Sequence, residues 1–166
     1  EIGSLTCQHS SHFAKAFPGI DFVTSEIRSN QQVLKTCLTH YQKEVKNLKG
    51  PSTYEAGFNK LPEGHKFYFT ANTMHIMSWK QAKTLIKDIA HVMEEGSTLF
   101  IYGPFKYQGE FTSASNQEFD SFLKERDSQS GIRNFEDVCQ NFLKKEVFLK
   151  EDIKMPANNQ LLIFNK

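Results

Sequence analysis

The hydrophobic positions of the chain change period repeatedly, from two residues to about 3.6 residues and back. Short apolar or alternating runs, which are typical of strands, occupy residues 20–27, 52–56, 67–73 and 98–103. Two later runs, 147–155 and 160–165, are joined by the turn sequence PANN. Their closeness along the chain predicts an antiparallel hairpin at the end of the sequence.

Segments of helical periodicity fill the intervals between the predicted strands. They lie at residues 10–17, 29–48, 79–95, 115–127 and 135–144. The second of these helices is closed by the sequence KGP, which is typical of a helix end. Ser78 with Gln81 and Ser115 with Glu118 have the spacing of capping boxes, and Asn134 is expected to cap the last helix.

Strands that alternate with helices predict an α/β fold, in which a sheet carries helices on both faces and ends in an antiparallel pair. The length of 166 residues corresponds to a single domain that spans residues 1–166. Residue 1 stands at the end of an apparent strand that lacks its apolar lead-in. We therefore expect an N-terminal segment and the start of the first strand to be missing from this sequence.

Composition argues against several classes of function. Twenty basic and nineteen acidic residues leave a net charge of +1, so no nucleic-acid partner is expected. No apolar run approaches the roughly 20 residues that cross a bilayer, so no membrane span is expected. Three widely spaced cysteines without a CxxC pair predict a reducing, cytoplasmic location. His9 and His12 lack a third ligand in a metal-binding pattern, so no metal site is predicted.

The opening stretch EIGSLTCQHSSHF places an acidic residue, a glycine and a short polar turn before a helix. In sheets of this kind a nucleotide-like ligand lies beyond the first strand-to-helix turn. Glu26 follows Gly3 by 23 residues and ends a predicted strand, where an acidic side chain commonly hydrogen-bonds a ribose diol. Glu55 ends the next strand and is a candidate for an adenine contact. The alternative is that both are solvated loop carboxylates.

Polar side chains also follow the strands at 67–73 and 98–103. Asn72 and His75 end the first of them, and an imidazole is suited to take a proton near neutral pH. The alternative for His75 is that it caps the strand or orients the loop. Tyr102 ends the neighbouring strand, either as the wall of a small pocket or as ordinary core. We assign His75 and Tyr102 as the candidate catalytic residues.

A further polar set is predicted to bind a small-molecule substrate. Arg126 and Arg133 flank a short loop between two helices, and arginines in such places recognise carboxylate or phosphate groups. An isolated arginine is more often part of a surface ion pair. The other candidate substrate-binding residues are Ser115, Asn116, Asn158 and Asn159. The last two are equally explained as turn residues.

Several ordered stretches of the chain resemble a known family. They are EIGS-x-T-x-QH at 1–9, TANTMHIMSW at 70–79, YGPF at 102–105, FTSASNQEFD at 111–120, LKERD at 123–127, GIR at 131–133 and MPANN at 155–159. On these residues the chain is similar to an uncharacterised methyltransferase-like family with bacterial and animal members. The resemblance implies a Rossmann-like class I methyltransferase fold, with a mostly parallel seven-stranded sheet, an antiparallel last strand and helices on both faces.

The same resemblance implies S-adenosylmethionine as the cofactor, over the first loop. The cofactor-binding residues are then expected to be Glu1, Gly3, Ser4, Thr6, Gln8, His9, Glu26, Glu55 and Asn72. The chain departs from the family's loop at Leu5 and Cys7, which stand where the family has glycines. Glycine permits a positive φ and a close approach of backbone to ligand, whereas a side chain there introduces strain.

The leading hypothesis is an enzyme, an S-adenosylmethionine-dependent methyltransferase that acts on a small polar substrate. The alternative is a non-catalytic protein of the same fold that binds another ligand or a protein partner, which the residues at positions 5 and 7 favour. A nicotinamide-dependent dehydrogenase is less favoured, because the GxGxxG spacing is absent. The sequence leaves the methyl acceptor and the oligomeric state open.

Overall fold

A computed structural model describes all residues, 1–166, and divides them into two compact units, 1–60 and 61–166. The first unit contains two helices and two strands in alternation: α1 (Gln8–Ala16), β1 (Phe22–Glu26), α2 (Gln31–Tyr41) and β2 (Leu48–Thr53). Strands β1 and β2 pair in parallel, and Ile2 forms an isolated parallel bridge with Ser25. The prediction of a single domain stays a prediction.

The core of the first unit explains why these segments fold as they do. Buried side chains recur along α2 at Leu34 and Leu38, one helical turn apart, so one face of the helix is apolar. They pack in a cluster that also contains Cys7, Ala14, Val45 and Leu48. The turn that carries Cys7 is therefore anchored in the core of this unit.

The second predicted helix is too long in the sequence interpretation. Helix α2 ends at Tyr41, and the KGP sequence lies inside strand β2 instead of closing a helix. Gly50 has a φ of +121°, and a Cβ placed on it would lie 2.8 Å from the carbonyl oxygen of Thr24. Glycine is needed there because β1 and β2 approach closely, and the following proline is tolerated at an exposed strand position.

The second unit contains seven strands and three helices. They are β3 (Phe67–Ala71), α3 (Trp79–Val92), β4 (Thr98–Gly103), β5 (Phe105–Tyr107), β6 (Glu110–Phe111), α4 (Ala114–Arg126), β7 (Arg133–Asn134), α5 (Phe135–Leu143), β8 (Phe148–Met155) and β9 (Asn159–Asn165). Four of the strands form a sheet in the order β3-β4-β9-β8, and the short strands form a second sheet in the order β6-β5-β7.

The α/β class is confirmed, but the predicted seven-stranded, mostly parallel sheet is wrong in that form. Within the four-stranded sheet only β3 and β4 are parallel, while β9 runs antiparallel to both β4 and β8. The reason is local, because the short connection between β8 and β9 allows only an antiparallel return. The hairpin predicted from the two last apolar runs is thereby confirmed.

The helix caps agree with the sequence prediction in one case of three. Ser78 and Gln81 form the predicted capping box at the start of α3. Helix α4 is capped by the Ser113 side chain, which accepts the Asn116 backbone N–H, so the box predicted at Ser115 is wrong. Asn134 occupies the cap position of α5, but its side chain makes no capping hydrogen bond. None of the helices is both long and apolar enough to span a membrane.

Candidate functional site

The opening loop of the first unit keeps the backbone conformation of a glycine-rich turn. Gly3, Leu5 and Cys7 have φ values of 74°, 41° and 48°, all in the left-handed region. Non-glycine residues rarely adopt this region, which costs about 1–2 kcal/mol per residue. Backbone bonds hold the turn in place, because Ser25 O accepts the N–H groups of both Gly3 and Ser4, at 3.1 and 2.9 Å.

The two side chains that replace expected glycines go to different places. Cys7 is fully buried, and burial raises the pKa of its thiol to about 12, so the group is an inert core side chain. Leu5 is 45% exposed and lies on the surface of the unit. Of these two side chains, therefore, only that of Leu5 lies on the surface of the loop.

Glu26 is fixed at the carboxyl end of β1, where the sequence predicted a ribose contact. Its Oε2 accepts the backbone N–H of Leu5 at 2.9 Å, and its Oε1 accepts that of Ile27 at 2.8 Å. The residue is only 6% exposed. Each carboxylate oxygen has two acceptor sites, so Oε2 keeps one site beyond the Leu5 N–H. The carboxylate is thus oriented by the loop and can still receive a hydroxyl.

A second carboxylate begins the loop. The Glu1 side chain accepts the Ser10 hydroxyl at 2.5 Å and lies 3.1 Å from His9 Nδ1. This hydrogen bond raises the pKa of His9, the burial of the ring acting in the opposite direction. Ser4 donates its hydroxyl to the backbone carbonyl of Glu1 at 3.1 Å. Four of the predicted cofactor residues, Glu1, Ser4, His9 and Glu26, are therefore organised around one turn.

The remaining predicted residues of this unit are less well placed. Thr6 is half-buried in the turn, and Gln8 is exposed at the start of α1. Glu55 follows β2, where its backbone N–H is bonded to Asn59 at 2.7 Å. No hydrogen bond joins the Glu55 carboxylate to the loop around Glu26.

In the second unit the ends of β3 and β4 bring Asn72, His75 and Gly103 together. Asn72 has a φ of 55°, and its N–H donates to Tyr102 O at 2.9 Å, which continues the pairing of the two strands. A Cβ placed on Gly103 would lie 3.6 Å from Asn72 Oδ1 and 3.8 Å from His75 Nδ1. Tyr102 is half-buried, and its hydroxyl has no hydrogen bond within the protein.

His75 is buried and uncharged at neutral pH. Its side chain is 5% exposed and meets the Phe119 ring edge-on, with ring centroids 5.2 Å apart. Burial, and then the positive charge of Arg133, lower the pKa of His75 to about 4. Neither ring nitrogen makes a hydrogen bond within the protein. A base with so low a pKa takes a proton poorly at neutral pH, so the imidazole is better suited to hydrogen bonding than to proton abstraction.

Arg133 holds the loop on which His75 lies. Its Nε donates to Met74 O at 3.0 Å, and its Nη2 donates to the carbonyl oxygens of Met77 and Gln129. The guanidinium also lies over the Trp79 ring, 5.9 Å from its centroid. An open cavity of about 340 Å³ borders this arrangement, lined by Trp79, Lys106, Gly109, Ile132, Arg133, Asn134 and Asp137. Most of the Arg133 donors are thus used by the protein itself, not held for a substrate anion.

The other candidate substrate residues do not all lie together in the structure. Asn116 is buried and donates through Nδ2 to Thr112 Oγ1 and to Asn158 O, while Asn158 Nδ2 donates to Ser115 Oγ at 3.2 Å. Ser115, Asn116 and Asn158 therefore form one cluster. Asn159 bonds only within its turn, to carbonyl oxygens of Pro156 and Ala157. Arg126 stands at the exposed end of α4 over the Phe122 ring and joins neither group.

Sequence reasoning missed Asp120, Gly131 and Gln160. Asp120 is buried, accepts the Ile132 N–H at 2.7 Å and pairs with Lys124 Nζ at 2.6 Å. A Cβ on Gly131 would lie 2.9 Å from Asp120 Oδ1, so this carboxylate needs a glycine beside it. The recognised stretches FTSASNQEFD and GIR contain both residues and were the available signal. No group of three or more His, Cys, Asp or Glu side chains is arranged to hold a metal ion.

Comparison with protein families gives one match over the whole chain. A family model described as "Protein of unknown function (DUF938)" matches residues 1–166. The chain belongs to this family. Solved structures with a fold similar to that of this chain include methyltransferases. This supports the resemblance to a methyltransferase-like family at the level of the fold.

The chain is similar to several solved structures at low sequence identity. Mitomycin 7-O-methyltransferase MmcR gives a TM-score of 0.85 at 16% identity, and PigF with SAH gives 0.83 at 17%. A structure described as a pericyclic reaction enzyme gives 0.80 at 14%. Each match covers 99% of this chain but only 47%, 49% and 41% of the other chain, respectively. The likeness shows the fold, and the DUF938 chain spans less than half the length of these relatives.

We expect the two glycine replacements in the loop to have opposite effects on stability. Leu5→Gly removes about 1–2 kcal/mol of left-handed strain but adds about 0.5–1 kcal/mol of unfolded-state entropy, so the protein should be unchanged or slightly more stable. Cys7→Gly also empties a fully buried position, and should lower the free energy of unfolding by about 1–2 kcal/mol. Urea denaturation of both variants measures this, and equal effects would contradict the placement of the two side chains.

Replacement of the two candidate arginines by lysine should separate their roles. Arg133→Lys cannot reach all three carbonyl oxygens, so we expect the free energy of unfolding to fall by about 1–3 kcal/mol. Arg126→Lys is the matched control at an exposed position and should change it by less than about 0.5 kcal/mol. Urea denaturation measures both variants. Equal losses of unfolding free energy would show that the carbonyl contacts of Arg133 do not add to the stability of the fold.

The buried imidazole predicts a pH dependence of stability. Below its ordinary pKa of 6.5, His75 is protonated in the unfolded chain but stays neutral in the folded chain down to about pH 4. The unfolded state therefore binds the extra proton, and stability falls as the pH falls through this window. Between pH 7 and pH 5 the His75 contribution to the loss should be about 2 kcal/mol. Over the same pH range, the free energy of unfolding of His75→Gln should fall by correspondingly less than that of wild type. Parallel plots of unfolding free energy against pH for the two proteins would contradict a buried neutral imidazole.

Proposed function

We propose that this protein is an S-adenosylmethionine-dependent methyltransferase that acts on a small polar molecule. The observation that carries the proposal is the loop around Glu26, where three left-handed residues and an oriented carboxylate stand at the end of a strand. The structural likeness to methyltransferases supports it at the level of the fold. A carboxylate in this position suits a ribose hydroxyl, because Oε2 keeps one acceptor site beyond the Leu5 N–H.

The residues of the first unit fit a ribose-containing cofactor. Glu26 would accept a ribose hydroxyl at Oε2, and the Leu5 N–H fixes the orientation of the carboxylate. The Glu1–His9 pair and Ser4 hold the beginning of the turn and are the expected neighbours of the cofactor's polar tail. When bound, S-adenosylmethionine supplies a methyl group activated by a positively charged sulfur.

The residues of the second unit would bind and orient the methyl acceptor. His75 is neutral and unpaired, and Asn72 faces the same glycine. Arg133 keeps the His75 loop in position through its bonds to backbone carbonyls. The second unit would then contribute mainly the orientation of the acceptor, which suits a reaction whose leaving group is already activated. Tyr102 remains a candidate for the wall of this region.

A non-catalytic ligand-binding protein of the same fold is the second candidate function. It is favoured by Leu5, whose side chain is 45% exposed on a loop that the family resemblance expects to be glycine. A leucine side chain over the turn narrows the approach of a ligand to the backbone. In that case the partner would be another small molecule or a protein.

Calorimetric titration with S-adenosylmethionine and S-adenosylhomocysteine tests the proposal. Wild type should bind both, and Glu26→Gln should bind about 10- to 100-fold more weakly, because a hydrogen bond to a charged group contributes about 1.5–3 kcal/mol. Glu44→Gln is the matched control, since Glu44 is exposed and pairs only with Lys15. Thermal melting of each variant separates lost binding from lost folding.

The outcomes divide the two candidate functions. Binding that Glu26→Gln weakens and Glu44→Gln does not alter supports the cofactor site. No binding by folded wild type, with binding gained in Leu5→Gly, would favour the second candidate and assign the loss to the leucine side chain. No binding by either protein would refute the proposed cofactor.

A further inference from the structure

A row of residues crosses the sheet of the second unit at the end of β4. Gly103, the last residue of β4, pairs with Gln160 of β9 in an antiparallel register without irregularity. Residues directly opposite each other on neighbouring strands project to the same face of a sheet. The side chain of Gln160 therefore projects to the face on which a Gly103 side chain would lie. Asn72 Oδ1 and His75 Nδ1 flank that same position, at 3.6 and 3.8 Å.

Two polar side chains on this face are buried without a partner. Gln160 is 7% exposed, and its Oε1 atom is fully buried with no hydrogen bond. His75 is 5% exposed, and neither of its ring nitrogens is hydrogen-bonded within the protein. Buried polar groups of native proteins nearly always have partners, and an orphaned one destabilises the fold. One orphaned acceptor, Gln160 Oε1, lies on the same face as an imidazole without a hydrogen bond and a residue without a side chain, and this arrangement indicates that a ligand completes it.

The groups on this face also limit the chemistry of the ligand. Gln160 and Asn72 are neutral amides, and the imidazole of His75 is uncharged because burial and Arg133 lower its pKa. The buried carboxylate of the region, Asp120, is already used by Lys124 and by the Ile132 N–H. The side chains that flank Gly103 therefore offer no charge to an ionised ligand. Phe119, edge-on to the His75 ring, supplies an aromatic neighbour.

A hydroxyl has both the hydrogen that Gln160 Oε1 lacks and a lone pair for the imidazole N–H. Its hydrogen is donated to Gln160 Oε1, which can only accept, and its oxygen accepts the N–H of the neutral imidazole. An amine or amide N–H can take the same place at Gln160, but a carboxylate or a fully ionised phosphate cannot, since neither carries a hydrogen to donate.

We propose that His75 and Gln160, with Asn72, form a binding site over Gly103 for an uncharged group that carries an O–H or N–H hydrogen, such as the hydroxyl of a phenol or alcohol. This proposal deepens the proposed function. It rests on that function only in identifying the bound group as the methyl acceptor. It differs from the expectation that the arginines recognise a carboxylate or phosphate, since most of the Arg133 donors are bonded to backbone carbonyls.

Phenol and toluene are the probes that test the site, because they have nearly the same shape and only phenol carries a hydroxyl. Each is titrated into the full chain without cofactor, and the ring signals of His75 are followed by NMR, with His75→Gln used for assignment. We expect phenol to shift these signals saturably with a midpoint of about 1–10 mM, as for a weak fragment-sized ligand. Toluene should cause at most a tenth of that shift.

Gln160→Met tests whether the orphaned oxygen is the binding partner. The substitution keeps the length of the side chain and removes its amide, so the phenol midpoint should rise at least fivefold. Because a buried unpaired oxygen is also removed, Tm should rise by about 2–8 °C. Gln117→Met is the matched control at an exposed position of α4 and should change neither the midpoint nor Tm.

The outcomes bear on this site independently of the cofactor. Phenol shifts at His75 that Gln160→Met weakens support the proposal, even if S-adenosylmethionine does not bind. The proposal is overturned if phenol leaves the His75 signals unchanged, if toluene acts as strongly, or if Gln160→Met binds phenol like wild type. A lowered Tm in Gln160→Met would also overturn it, because the glutamine would then be a structural side chain.

Discussion

The guanidinium of Arg133 joins two backbone carbonyls of the loop after β3, those of Met74 and Met77, to that of Gln129, which is distant from them in sequence. The loop after β3 is held in its course by these contacts together with the Gly131 N–H, which donates to His75 O at 2.8 Å. The position of His75 depends on that course, and so does its pKa, which the same guanidinium lowers. Arg133 thus helps to position His75 and adds to the effect of burial in keeping its imidazole neutral.

The opening loop also has a backbone course that other contacts must hold in place. A turn with three left-handed residues needs either glycine or other contacts that compensate for the strain. Here the buried Cys7 side chain, the Glu26 carboxylate and the Ser25 carbonyl supply those contacts. The backbone path typical of a cofactor loop is therefore retained although two side chains occupy positions where glycine is expected. What has changed is the surface, where Leu5 is exposed.

The side chains that face the proposed acceptor site are neutral. The arginine and aspartate of the region are bonded to the protein's own backbone, and the side chains that face Gly103 are neutral. A neutral site discriminates by hydrogen-bond direction, because a buried acceptor such as Gln160 Oε1 is satisfied only by a donor. Such sites reject analogues that lack the hydrogen more strongly than they reject a change of size.

The sequence by itself determined the elements with a strong local signal. The strands at 67–71 and 98–103, the capping box at Ser78 and the final hairpin follow from apolar runs and turn residues that act within a few positions. The pattern also showed that Glu26 and His75 follow or end strands, which is what made them candidates.

Only the tertiary structure decided the partners of those residues. The KGP sequence reads as a helix end, but the pairing of β2 with β1 makes it part of a strand. Arg126 and Arg133 look equivalent along the chain, yet one is exposed and the other binds a loop more than fifty residues away. Gln160 has no local signal at all, since its burial and its place opposite Gly103 arise from the register of β9 on β4. Register and burial are products of the whole packed sheet, and no stretch of a few residues specifies them.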